Sequence, residues 1–366
     1  MKKIDSFSEY KNEYKKSLDN PELFWAEKAS TFQWRSKWNK VLNWEFESPI
    51  IEWFIGGKLN ITENCLDRHW KSNGDKVAIL WEPNDPNDSS VKITYSELHK
   101  KVCEFANVLL NHGAKKGDRI CLYMPMIPEL TIATLACARI GAIHSVVFAG
   151  FSAKSLADRI NDSTCNILIT TDGSYRGNKQ ICLKEITDQA LDFCKTIESC
   201  IVFKRTGEEI SMKSNRDFWW HDEVLKVSDF LTATEMDSED PLFILYTSGS
   251  TGKPKGVQHN CGGYMVYAEY SFRNVFQYNE DDIYWCTADI GWITGHTYIV
   301  YGPLLSGSTS VMFEGVPTFP DPGRFWEICE KYRVNIFYTA PTAIRALQAY
   351  GTSYPKKYNL SSLKTL

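Results

Sequence analysis

From about Asp75 onward, short apolar runs alternate with longer stretches of mixed polarity. The β-rich runs are Arg119–Met124, His144–Phe148, Asn166–Thr170, Cys200–Phe203, Leu242–Tyr246, Ile283–Cys286, Ser310–Phe313 and Asn335–Tyr338. Each is strand-sized and too short for a core helix. Between two of them Pro128 opens a predicted helix running to about Arg139, since proline's fixed φ and missing N–H suit a first turn. Ile132, Leu135, Ala136 and Ile140 recur on one face of it. Ser155–Ile160 and Thr342–Ala349 predict two more helices. Such alternation predicts an α/β fold of mostly parallel sheets flanked by helices. The polar run Asn84–Ser90 (NDPNDSS) reads as a turn, and Asp237–Asp240 as a junction. The expected division is therefore residues 75–236 and 237–366, two α/β subdomains. No internal repeat or low-complexity stretch interrupts the pattern.

Residues 1–74 read differently. The first 81 residues hold Trp25, Trp34, Trp38, Trp44, Trp53, Trp70 and Trp81, seven of the chain's 12 tryptophans. Indole rings in such number would leave a large apolar area in water, so the segment is expected to be an extension packed on the main body.

Composition narrows the function class. The 366 residues are 43% hydrophobic and 23% charged, a globular balance. With a net charge of −4 there is no overall basic field for nucleic acid, so an anionic substrate needs local cations. The basic start, MKKIDSFSEYKNEYKK, has no apolar stretch behind it and does not read as a signal peptide. No run approaches the ~18 apolar residues of a membrane span. The 11 cysteines are odd in number and contain no CxxC pair. Reduced thiols in a cytoplasmic setting are expected, with neither a disulfide framework nor a zinc site.

The richest chemistry lies in Thr247-Ser-Gly-Ser-Thr-Gly-Lys-Pro-Lys-Gly256, directly after the apolar run Phe243–Tyr246. Gly249, Gly252 and Gly256 let the backbone turn left-handed and approach a ligand. Successive N–H groups can then form an anion nest. Thr247, Ser248, Ser250 and Thr251 add hydroxyls, and Lys253 and Lys255 add compact positive charge for phosphate. A Walker A loop is excluded, because only two residues separate Gly249 from Gly252 and Pro254 follows Lys253.

This loop resembles the signature of the adenylate-forming superfamily of acyl-CoA synthetases, firefly-type luciferases and peptide-synthetase adenylation domains. Trp53–His69, Gly141–Ile160, Tyr284–Leu304, Phe313–Pro317 (FEGVP) and Tyr338–Leu347 narrow the resemblance to the acetyl-CoA synthetases. The resemblance implies a ligase fed by ATP, acetate and CoA, with Mg²⁺, passing through an acetyl-adenylate. It assigns Thr247, Ser248, Gly249, Ser250, Thr251, Gly252, Lys253 and Lys255 to phosphate handling. In Asp289–Thr297 it assigns Trp292 as the wall behind the acetate methyl, with Ile293 and Thr294 lining the pocket. Thr294 also resembles a threonine that approaches CoA, while His296 reads as structural. On the CoA path it assigns Gly150 and Ser152, then Arg176, Gly177, Asn178 and Lys179. Lysine at 179 stands where the family's pattern leads one to expect arginine, which keeps charge and loses the bidentate fork. Thr318 occupies a place where the family commonly has an asparagine that contacts CoA.

The resemblance also implies parts that follow Leu366 in the family. These are an adenine loop, a TETG-type motif with a Mg²⁺-binding glutamate, a ribose aspartate and a small domain with the adenylation lysine. The 366 residues are accordingly expected to be the front portion of a longer enzyme, with no metal ligand of their own and no activity alone. Regulation of the parent by an acetyltransferase and a deacetylase is a further implication. Two alternatives stay open: a propionyl-CoA synthetase, or a nucleotide- or CoA-binding module without activity.

Overall fold

The computed structural model describes residues 3–247 and 254–366. Ser248, Gly249, Ser250, Thr251, Gly252 and Lys253, six of the expected phosphate-handling residues, lie outside the described residues.

Two sheets form the body. The first has seven strands in the order Asp217–Trp219, Ser199–Phe203, Ile167–Thr171, Arg119–Tyr123, Ile143–Val146, Pro241–Thr247 and Lys255–Asn260. Only the last runs antiparallel. The second has five, Ile336–Tyr338, Ile283–Cys286, Thr309–Phe313, Val77–Glu82 and Val91–Thr94, again with only the last antiparallel. Every residue of Ile167–Thr171 is buried, as befits a parallel strand covered on both faces.

The sheets trade hairpins. Pro241–Thr247 and Lys255–Asn260 complete the first sheet, and Val77–Glu82 with Val91–Thr94 completes the second. A division at 236/237 therefore cuts across both sheets, since strand pairing is non-local and leaves no mark in local polarity. The strand Lys255–Asn260 carried no apolar signal because it is an edge strand, largely exposed.

All three expected helices form, as Pro128–Ile140, Ala153–Ser163 and Pro341–Gln348. The first differs from its expected single apolar face. Every residue of it except Glu129 is buried, because the helix Tyr95–Asn111 packs against it as well as the sheet. Gly141 ends it at φ 75°, sending its N–H back to the carbonyls of Ala138 and Cys137.

The tryptophan-rich segment forms helices Phe7–Asp19 and Pro21–Ala29 and a hairpin of Lys40–Glu45 with Ile50–Ile55. Trp25 meets Trp53 and Tyr270 edge-on at 6.1 and 5.5 Å, and Trp34 meets Trp38 and Phe54 at 5.0 and 5.5 Å. Trp44 departs from the expectation: paired with Ile51 near the turn of the hairpin, it is 61% exposed. A short pairing of Lys58–Leu59 with Met236–Asp237, reinforced by a 2.7 Å Lys58–Asp237 ion pair, fastens the segment to the chain that follows.

Candidate functional site

The carboxyl ends of the parallel strands in both sheets converge on one cleft of about 250 Å³. Pro125, Phe148, Gly150 and Arg176 reach it from the first sheet, and Cys286–Asp289, Glu314–Pro317 and Ala340 from the second. Side chains just past strand ends can converge this way because loops there are free of ladder hydrogen bonds, the usual place for a ligand in open α/β sheets.

Arg176 is presented by a hairpin of Ser174–Arg176 and Lys179–Ile181. Arg176 pairs with Lys179, so the turn is the dipeptide Gly177–Asn178, and Gly177 sits at φ 62°, where glycine is unstrained. Asn84 clamps that turn: its Nδ2 donates to the Gly177 carbonyl and its Oδ1 accepts the Gly177 N–H, both at 2.8 Å. Arg176 lies over the Phe148 ring at 5.7 Å, and among the described residues neither it nor Lys179 makes an ion pair. Both cations are exposed, as is Asn178. Gly150 lets Phe148 fold back over it, since a Cβ there would stand 2.3 Å from the ring. Ser152 caps the helix Ala153–Ser163 through the Ser155 N–H, and it does not line the cleft.

Trp292 sits at the rim rather than inside. Its ring is 4.8 Å from Phe148 and 6.5 Å from Phe151, and 47% of the residue is exposed. Ile293 is similarly exposed and Thr294 half-buried, at the start of a helical run that continues to Leu305. His296 is buried against Phe243 and His144, 4.6 and 5.5 Å between rings. Burial pushes its imidazole down to about 4, so it is neutral. Thr318 is half-buried just past the Glu314–Pro317 wall. Thr247 and Lys255 are cross-strand neighbours, which brings together the two ends of the glycine-rich motif.

The structure adds carboxyl groups that sequence reasoning passed over. Asp289 accepts the Gly291 N–H at 2.7 Å, and burial pushes its carboxyl up to about 6 against the pull of that bond and of Arg176. Burial also pushes Glu314 up to about 7, opposed by Arg205, which donates to it at 2.7 Å. Both acids lay within segments that carried the resemblance, but only burial sets them apart. Asn84 had read as part of a polar turn, and its clamp spans 93 residues of sequence.

A doubly sheeted α/β core with a largely apolar cleft at the strand ends, lined also by Arg176, Asp289 and Glu314, belongs to the ligand-handling class of such folds. More narrowly, the chain belongs to the AMP-binding enzyme family, whose sequence model matches residues 66–366. A model of the acetyl-coenzyme A synthetase N-terminus matches residues 10–65. The chain is similar to the acetyl-coenzyme A synthetase of Bdellovibrio bacteriovorus, 54% identical over 360 residues, 98% of this chain and 56% of that protein. Those of Desulfatibacillum aliphaticivorans and Leptospira biflexa are 53% and 54% identical over 358 and 368 residues. These alignments cover 98% and 99% of this chain, and 55% and 56% of the relatives. The chain thus spans a little over half the length of the curated relatives it matches.

Proposed function

We propose that this chain carries the acyl- and CoA-facing part of an AMP-forming acetate–CoA ligase. The observation that carries the reading is the cleft: unpaired Arg176, Gly150 and the Asp289 loop share it, on a chain more than half identical to acetyl-coenzyme A synthetases. In the first step an acetate oxygen attacks the α-phosphorus of ATP, the bond to the β-phosphate oxygen breaks, and pyrophosphate leaves. The hydroxyls and lysines of residues 247–255 are suited to hold that departing charge. In the second step the CoA sulfur bonds to the acetyl carbon, the carbon–oxygen bond to AMP breaks, and the thiol proton leaves to a base. Arg176 and Lys179 supply the charge for CoA phosphates, and the Asn84 clamp fixes their spacing. Gly177, Asn178, Ser152 and Thr318 complete the proposed CoA path, while Trp292, Ile293 and Thr294 bound the acetate.

The substrates proposed are ATP, acetate and CoA, with Mg²⁺. Among the described residues no three His, Cys, Asp or Glu side chains come together as a cation site, so these residues do not fit a resident metal and no step is derived through it. Among the described residues no helix is long and apolar enough to cross a membrane. We propose a cytoplasmic location, and control of the parent by reversible acetylation.

The test is acetate-dependent ATP–pyrophosphate exchange, followed by CoA-dependent release of AMP, in the longer protein that carries this chain. Exchange with acetate above propionate supports the reading. Preference for propionate moves the assignment to a propionyl-CoA synthetase, and absence of exchange with either acid rejects a ligase.

A further inference from the structure

A second cavity, of about 290 Å³, shares no residue with the cleft. It opens at the other end of the helical run that starts beside Trp292, where Ser306 and Gly307 follow Leu305. Its walls bring three cations together: Arg68 and Lys76 from the N-terminal third, and Arg273 from the helix Cys261–Val275. They outnumber the two carboxylates present, Glu269 and Glu280.

Part of this charge has a structural task. Arg68 donates to the Leu305 carbonyl and Arg273 to that of Ser306 at 3.2 Å, capping the end of the helical run. Arg273 also donates to Glu269 Oε1 at 2.8 Å, with Arg68 3.7 Å from the same oxygen, and Lys76 donates to the Glu280 carbonyl at 2.9 Å. These bonds leave several N–H donors on each cation unassigned. They also leave two buried groups alone. Among the described residues the Ser306 hydroxyl and Glu269 Oε2 have no hydrogen-bond partner, in residues 7% and 3% exposed. Helix capping explains neither, and an unpaired buried carboxylate oxygen is costly.

A ligand that satisfies this wall needs several acceptor oxygens and one donor. Monohydrogen phosphate and the monoanion of a phosphate monoester have that pattern, whereas sulfate at neutral pH has only acceptors. We propose that this cavity binds a protonated phosphate group, its P–O–H donating to Glu269 Oε2 and its other oxygens accepting from Arg68, Arg273, Lys76 and Ser306. The volume exceeds that of a bare phosphate and leaves space for a few carbon atoms. The same arrangement gives a reporter. His69, also in the wall, is pushed down to about 4 by burial and then by Arg68, Lys76 and Arg273. An anion among those cations shifts His69 back toward its ordinary value.

The 366-residue chain is titrated with inorganic phosphate, glycerol 3-phosphate and sulfate, followed by calorimetry and by the His69 ring resonances as a function of pH. Saturable binding of phosphate or glycerol 3-phosphate, roughly tenfold or more tighter than sulfate, with an upward shift of the His69 titration, is expected. The tighter of the two phosphates identifies free anion or ester as the source. Ser306→Ala, which removes a hydroxyl with no partner among the described residues, weakens binding several-fold. Glu269→Gln abolishes the preference over sulfate, and should that variant not fold, Lys76→Gln replaces it and weakens both phosphates. Sulfate binding as well as phosphate, an unmoved His69, unchanged affinity in Ser306→Ala, or no binding of any of the three overturns the proposal.

Discussion

Trp292 rests on Phe148 with nearly half of its surface open, so its removal disturbs little of the core. Trp292→Gly in the longer enzyme is expected to fold and to lengthen the acids accepted. Each added methylene that finds cover gains about 0.8 kcal/mol, and such pockets discriminate by about 1–3 kcal/mol per methylene. Steady-state kinetics with acids of two to six carbons check this: butyrate or valerate gains in kcat/KM and acetate loses. An unchanged preference for acetate would make the indole a packing residue. At position 251, outside the described residues, the sequence alone motivates the substitution. Thr251→Ala should lower pyrophosphate exchange by roughly 10²-fold, the usual cost of losing a donor aimed at developing charge. Exchange within about threefold of the unaltered enzyme removes the phosphate role from that hydroxyl.

Elements are joined by a few buried polar contacts whose loss can be read in stability. Glu82, at the end of the strand Val77–Glu82, is fully buried and takes Arg324 and Lys331, each at 2.7 Å, and the Tyr332 hydroxyl. That network fixes the helix Arg324–Tyr332 to the second sheet, behind the Glu314 wall of the cleft. Arg324→Ala leaves the buried carboxylate without its best partner, and urea unfolding should show a loss of about 3–5 kcal/mol. A loss under 1 kcal/mol would mean that Lys331 and Tyr332 hold Glu82 unaided. Gly141 is a second such joint. A Cβ there would lie 2.6 Å from the Met236 sulfur at a φ of 75°. Gly141→Ala should therefore cost about 1–3 kcal/mol, and unfolding at the wild-type midpoint would refute the strain.

The response to acid belongs to the whole molecule. Burial pushes His69 and His296 down to about 4 and His144 well below its ordinary value of 6.5. Between 6.5 and 4 the unfolded chain binds protons on these rings that the folded chain refuses, so their contribution is complete above 6.5 and is lost as pH falls. Asp289 and Glu314, pushed up to about 6 and 7, act in the opposite sense, since the folded chain keeps protons there that the unfolded chain releases. Asp67, half-buried yet held well below the carboxylate range by His99 and Arg139, adds a further loss at lower pH. The urea midpoint is expected to fall from pH 7 to pH 4.5, and a flat or rising profile would mean that the raised carboxyls dominate.

By itself the sequence determined the α/β class, eight strands and three helices, because apolar runs and the proline at a helix start act over a few residues. It also supplied the family, through contiguous motifs, and with it the expectations of a CoA path at Gly150 and Arg176 and an acetate pocket in Asp289–Thr297. Tertiary structure decided which sheet each hairpin joins, and it cut across the 236/237 boundary, since strand pairing joins residues distant in sequence. It alone revealed the Asn84 clamp, the half-buried Asp289 and buried Glu314 carboxyls and the half-open Trp292. Each depends on burial or on a contact that many residues of intervening chain must fold to create, and burial cannot be read from one residue's neighbours in sequence.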